Sequence, residues 1–219
     1  AIETADLAAM TTTQVAALTT TQVAQGLTTE QVAALKTAQV AALTTAQVAQ
    51  GLTSDQVVAL TTAQAQALTV TQIAALTTKQ VSVMETDDLA ALKTAQIAAL
   101  TTAQVAQALT TDQVVALTTA QAQAFSALQI AALTTTNVAA LETTDLAALK
   151  TAQVAALTTS QIAQGLTTDH IVALKTEQVA ALTTRQVAQG LTTDQLVALT
   201  TAQAQALTAA QIASLTTAQ

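Results

Sequence analysis

Residues 11–35 read Thr-Thr-Thr-Gln-Val-Ala-Ala-Leu, then Thr-Thr-Thr-Gln-Val-Ala-Gln-Gly-Leu, then Thr-Thr-Glu-Gln-Val-Ala-Ala-Leu. Cutting after each leucine exposes a repeat of eight residues, Thr-Thr-x-Gln-Val-Ala-Ala-Leu. It continues in both directions until about 26 copies fill the 219 residues, with no linker between them. Five copies carry a ninth residue: 19–27, 44–52, 101–109, 158–166 and 183–191, each ending in Gln-Gly-Leu or Gln-Ala-Leu.

The repeat has no period-2 alternation, which a half-buried strand requires. A continuous helix fits no better. Eight residues advance about 800°, so a leucine stripe precesses by about 80° per repeat and no face stays apolar. A short helix that restarts in every repeat fits. With Thr19 as N-cap, Gln22 stands at N3, the capping box Thr-x-x-Gln. Leu18 then falls at N′ and Val23 at N4, the hydrophobic staple. Acidic residues take the N2 position in Glu30, Asp55, Asp112, Asp169 and Asp194, where the helix dipole favours them. The glycines at 26, 51, 165 and 190 suit a C′ turn. Lys36, Lys93, Lys150 and Lys175 occupy the capping position, and there the following threonine is expected to cap instead.

Helices this short are marginal alone, so the repeats must stack as a solenoid in which each coil buries its neighbours' apolar side. The expected fold is an all-α superhelix of short capped helices, one per 8–9-residue repeat, forming a single continuous array over residues 1–219. A second period sets the pitch. The nine-residue repeats are the 3rd, 6th, 13th, 20th and 23rd, and their separations are three or seven. Lys36, Lys93 and Lys150 are spaced by 57 residues, and Ala-Gln-Ala-Gln-Ala recurs at 63–67, 120–124 and 202–206. Steps of three, seven and ten repeats suit about 3.3–3.5 repeats per turn, by the logic that links a heptad to a supercoil. Duplication of a 57-residue block, as 44–100 and 101–157 suggest, explains the seven-step spacing and leaves the three-step recurrences unexplained.

Composition narrows the function. Alanine is about a quarter of the chain and threonine about a fifth; there is one Phe, and no Trp, Tyr, Pro or Cys. Charged residues are 9% and the net charge is −7 with six Lys+Arg, which argues against a phosphate-binding surface and hence nucleic acid. One His and no Cys exclude a His pair, a thiolate nucleophile and a zinc–thiolate site. Apolar runs reach only four residues, too short to span a bilayer, and no signal peptide is visible. Half of the residues are hydrophobic, unlike a disordered chain.

A few residues depart from the repeat. His170 replaces the N3 glutamine and is expected to make the same structural hydrogen bond. Glu85, Asp87 and Asp88 form an acidic cluster that recurs as Glu3 with Asp6 and as Glu142 with Asp145. Carboxylates of this kind suit a calcium ion, but no glycine-turned ligand loop surrounds them and a solvated face, with lateral ion pairs to Lys93 and Lys150, accounts for them better, so the expected metal set is none, with Glu85, Asp87 and Asp88 as its only candidates. Met10, Met84 and Phe125 take the leucine position and are expected in the core. The threonine rows are reminiscent of ice-binding helices; capping explains the same threonines without a ligand.

The fragment Leu-Thr-Thr-Asp-Gln-Val-Val-Ala-Leu at 109–117 resembles the opening of repeats in transcription-activator-like effectors. The proline, second helix and base-reading loop are absent, so DNA binding is not implied. Runs such as LTTAQVAQALTTDQ and LETTDLAALKTAQVAALTT resemble the Ala/Thr/Gln-rich arrays of very large bacterial exoproteins, described as haem-utilisation or adhesion-like. That resemblance covers essentially the whole chain and implies a secreted, surface-associated structural protein. The expectation is therefore a non-catalytic rod, stalk or filament-forming segment, extracellular or at the cell surface, with no cofactor, no membrane insertion and no small-molecule substrate. A repeat module docking a protein or polymer partner is the alternative. The terminal repeats look like internal ones, so the chain is expected to be part of a longer array or to associate end to end with other copies.

Overall fold

Every α-helix among the described residues begins at the second residue of its repeat, with the first as its N-cap. A computed structural model describes residues 2–219. Among them, helices of four to seven residues follow one another from Thr4–Ala9 to Ala209–Ser214, and no strand occurs. In Thr20–Gly26 the Thr19 hydroxyl accepts from the Gln22 N–H at 3.1 Å, and Gln22 Oε1 accepts from the Thr19 N–H at 2.8 Å. Two of the N-terminal donors that a helix leaves unpaired are thereby satisfied. The chain turns where two extended residues meet: Leu68 (φ −56°, ψ 134°) ends one helix and Thr69 (φ −74°, ψ 160°) caps the next.

At the lysine repeats the expectation shifts. Lys36, not Thr37, is the N-cap, and the helix runs Thr37–Ala42. A lysine side chain has no acceptor to offer, yet Gln39 Oε1 still accepts from the Lys36 N–H at 2.7 Å. Half of the box suffices to place the helix start.

The structure forms two compact units, the first ending at Leu109 and the second spanning Thr110–Gln219. Within each, the fold is an all-α solenoid. Helices three repeats apart pack together: Thr12–Ala16 on Thr37–Ala42 in the first, and Thr143–Ala148 on Thr168–Ala173 in the second. Glutamine side chains meanwhile reach the end of the helix four repeats back, as Gln39 does to Leu7 and Met10. Each turn of the coil therefore holds more than three repeats and fewer than four, which brackets the pitch expected from the three-, seven- and ten-repeat steps.

The interior is lined by the fifth and eighth positions of the repeat. Val23, Val40, Ile73, Ile97, Val138 and Ile162 at the fifth are wholly shielded from solvent. Leu133 and Leu141 at the eighth are buried, and Met84 and Phe125 fill the same seat. Met10, in the first turn, is half-buried. With aliphatic side chains repeating in register, no aromatic is needed to fill the space between coils.

The nine-residue repeats do not end in a left-handed glycine, since no described residue has positive φ. In two of the five the extra residue is instead taken up as a π-turn, whereas 19–27 and 101–109 hold the α-helices Thr20–Gly26 and Thr102–Gln107. Gln47–Gly51 and Gln161–Gly165 are π-helical, with the Leu52 N–H on the Gln47 carbonyl at 2.8 Å and the Leu166 N–H on that of Gln161 at 3.0 Å. Gly51 and Gly165 serve close approach: a Cβ there lies 3.1 Å from Val23 Cβ and 2.9 Å from the Thr135 carbonyl oxygen, respectively. Both neighbours belong to helices three repeats earlier.

Candidate functional site

Behind the aliphatic lining runs a row of buried amides. Gln72, on helix Val70–Ala75, is 2% exposed. Its Oε1 accepts from the Thr69 N–H at 2.7 Å, while its Nε2 donates to the carbonyls of Val40 at 2.9 Å and Leu43 at 2.7 Å. In the second unit Gln178 does the same, with Oε1 on the Lys175 N–H at 2.7 Å and Nε2 on the carbonyls of Leu146 at 3.0 Å and Leu149 at 2.8 Å. Gln56, Gln64, Gln104, Gln161 and Gln203 repeat the pattern.

One amide thus closes two deficits at once. Its oxygen satisfies an orphan N–H at the start of its own helix, and its nitrogen satisfies orphan carbonyls at the end of a helix in the turn beneath. A buried carbonyl left unpaired costs about 1–3 kcal/mol, so this joint is a main source of cohesion between coils.

The residues that depart from glutamine are read against this geometry. His170 is 4% exposed; its Nδ1 accepts from the Thr167 N–H at 3.1 Å and its Nε2 lies 2.8 Å from the Leu141 carbonyl. The neutral tautomer with hydrogen on Nε2 reproduces both jobs of the amide, so the imidazole is a structural joint, in the expected place.

Asp88 and Asp145 also stand at N3 and are buried, whereas Glu85 and Asp87 are exposed. Burial separates the three carboxylates, and among the described residues no group of three His, Cys, Asp or Glu is placed to hold a metal ion. The partners found for the buried pair are hydroxyls rather than the lysines: Thr119 Oγ1 donates to Asp145 Oδ1 at 2.7 Å, and Thr62 hydrogen-bonds Asp88. Burial pushes the Asp88 carboxyl above the usual carboxylate range; the Thr62 bond opposes this, while Glu85 and Asp87 add to the rise. Glu30, on the surface, is held below that range by a backbone hydrogen bond and by Thr28.

The outer face is built from threonine, alanine and scattered charge. A shallow depression in the second unit is lined by Leu157, Thr158, Thr183, Arg185 and Gln186, without a nucleophile–base pair. Val172 and Val197, in the second valine position of their repeats, are exposed. No helix of the described residues is long and apolar enough to cross a membrane.

Sequence reasoning found the oxygen half of the glutamine's role and missed the nitrogen half. A signal was present. The capping box accepts glutamate as readily as glutamine, and the dipole favours the acid, yet 21 of the 26 repeats carry glutamine at this position and none carries glutamate.

The string Ala-Leu-Thr-Thr-Ala-Gln, found at 42–47, 59–64, 99–104, 116–121 and 198–203, spans these parts in order: core leucine, corner, cap and stitching amide. No curated protein matches the chain. The family model of the ALTTAQ repeat matches residues 1–37, 32–62, 81–119 and 138–176, more than half of the chain. The chain belongs to the ALTTAQ repeat family.

Proposed function

We propose that the chain is a structural, non-catalytic array, a rod, stalk or filament-forming segment of an extracellular bacterial surface protein. One observation supports this above the others: the buried polar side chains, glutamine above all, serve to join one coil to the next. The resemblance to bacterial exoprotein arrays supports the extracellular setting.

The same joint gives the array its partner. One side of each coil carries amide donors and the other carries carbonyl acceptors, so any coil is complementary to a coil of a second copy. A head-to-tail interface of this kind propagates without closing. Gln14 and Gln22 in the first turn are exposed and use their Oε1 on Thr11 and Thr19, leaving amide nitrogens for such a contact. Sedimentation over rising concentration, with electron microscopy of the same samples, tests the reading. Axial association is expected, weakly sensitive to salt because few charges are available to screen. Compact particles that stay monomeric at high concentration contradict it.

A further inference from the structure

Two carboxylates sit where the ladder requires an amide. Asp88 lies on Thr86–Ala91, packed on Thr62–Ala67; Asp145 lies on Thr143–Ala148, packed between Thr119–Ala124 and Thr168–Ala173. Each is 2–3% exposed. Each places one oxygen on a threonine hydroxyl of the helix three repeats back. The other oxygen, Oδ2, is shielded from solvent and has no hydrogen-bond partner in either residue. The same arrangement occurs once in each compact unit.

The register shows what is missing. Gln80 and Gln96, flanking Asp88, donate to the carbonyls of Leu52 and Leu68; Gln153, following Asp145, donates to that of Phe125. All three bonds span 28 residues. The same step leads from Asp88 to Leu60 and from Asp145 to Leu117, both buried. An ionised carboxylate only accepts and has nothing to give a carbonyl; a protonated one carries one O–H donor. We infer that Asp88 is a proton-dependent joint: protonated, its carboxyl donates to the Leu60 carbonyl of the turn beneath as glutamine does, and ionised, it leaves that joint open.

The surroundings supply little to hold the charge. Around Asp145, helix Thr119–Ala124 carries no charged side chain and Thr168–Ala173 carries Asp169 and His170, the latter engaged with Leu141. Glu142 precedes Asp145 on its own repeat, Asp112 precedes Leu117, and Lys150 opens the next repeat. For Asp88, within its own unit, Thr62–Ala67 carries none, Glu85 and Asp87 are of like sign, Asp55 precedes Leu60, and Lys93 opens the next repeat. The Asp88 carboxyl, its folded pKa raised, binds more protons folded than unfolded. Its stabilising effect is complete below the unfolded value and is lost as pH rises through the folded value.

The test compares the full chain with the variant Asp88→Gln in thermal melts from pH 7.5 to pH 4. All other carboxylates are common to both, so their titration cancels in the difference. The variant is expected to melt higher at pH 7.5 by roughly 3 °C, given the cost of one buried open joint, and the gap closes on acidification. The Asp88 carboxyl carbon, followed by NMR, is expected to titrate above the usual carboxylate range. A gap that does not change with pH, a gap abolished by added calcium or sodium at pH 7.5, or an Asp88 that titrates within the usual carboxylate range overturns the inference.

Discussion

Replacing Gln178 by methionine removes a joint between coils while nearly preserving side-chain length and volume. Three bonds go: one from the Lys175 N–H at 2.7 Å and two to the carbonyls of Leu146 and Leu149 at 3.0 and 2.8 Å. Gln178 is wholly shielded from solvent, so water does not replace them. At about 1 kcal/mol net per bond, with a further penalty for buried carbonyls left bare, the cost is about 3–5 kcal/mol. Gln22→Met is the matched control. Gln22 is exposed and uses only its Oε1 on Thr19, so its loss costs less than about 1 kcal/mol. Solenoids can unfold coil by coil, so a single unfolding free energy is a poor readout. Amide hydrogen exchange is better, because it reports local opening. The Gln178→Met variant is expected to lose protection in the coils on either side of the joint, and Gln22→Met to keep it there. Equal effects of the two substitutions refute the assignment of cohesion to the amide nitrogen.

Leu133→Ala removes a buried member of the leucine row and is expected to cost about 2–5 kcal/mol locally; Thr134→Ala at the adjacent cap is expected to cost about 1 kcal/mol, with both read by amide hydrogen exchange around the site. The two kinds of glycine separate in the same assay. Gly26 has no atom within 4 Å of an added Cβ, so Gly26→Ala is expected to stabilise by about 0.5–1 kcal/mol. Gly165→Ala drives a Cβ to 2.9 Å from the Thr135 carbonyl oxygen and 3.0 Å from Val138, and is expected to destabilise by about 1–3 kcal/mol.

Local structure was readable because its causes are local. Thr19 and Gln22 are three residues apart, so the capping box and the helix start follow from adjacency alone, and Leu133 and Leu141 follow from the one apolar stripe the repeat allows. The pitch was readable from the recurrence of irregular repeats at steps of three and seven, because a superhelix returns those repeats to one side. What was not readable depends on contacts across a turn. The Nε2 of Gln72 meets Val40 and Leu43 only after the coil has closed, and nothing in its own repeat announces that. The same applies to Asp88 and Asp145, which read as surface charge and are buried. The glycines misled in the other direction: their helix-end position suggested a left-handed turn, whereas Gly51 and Gly165 lie within π-turns against Val23 and Val138.

Within each unit, helices pack on helices three repeats away, joined by amides that reach slightly further. Disulfide trapping tests this packing directly, because the chain has no cysteine of its own. A Cβ at position 51 lies 3.1 Å from Val23 Cβ, near the separation a disulfide spans after slight relaxation. Gly51→Cys is paired in turn with Val23→Cys, three repeats back, with Val15→Cys, four back, and with Val32→Cys, two back. Under mild oxidation the Val23 pair is expected to close rapidly and the other two to stay reduced. Preferential closure of the Val15 or Val32 pair contradicts the solenoid described here.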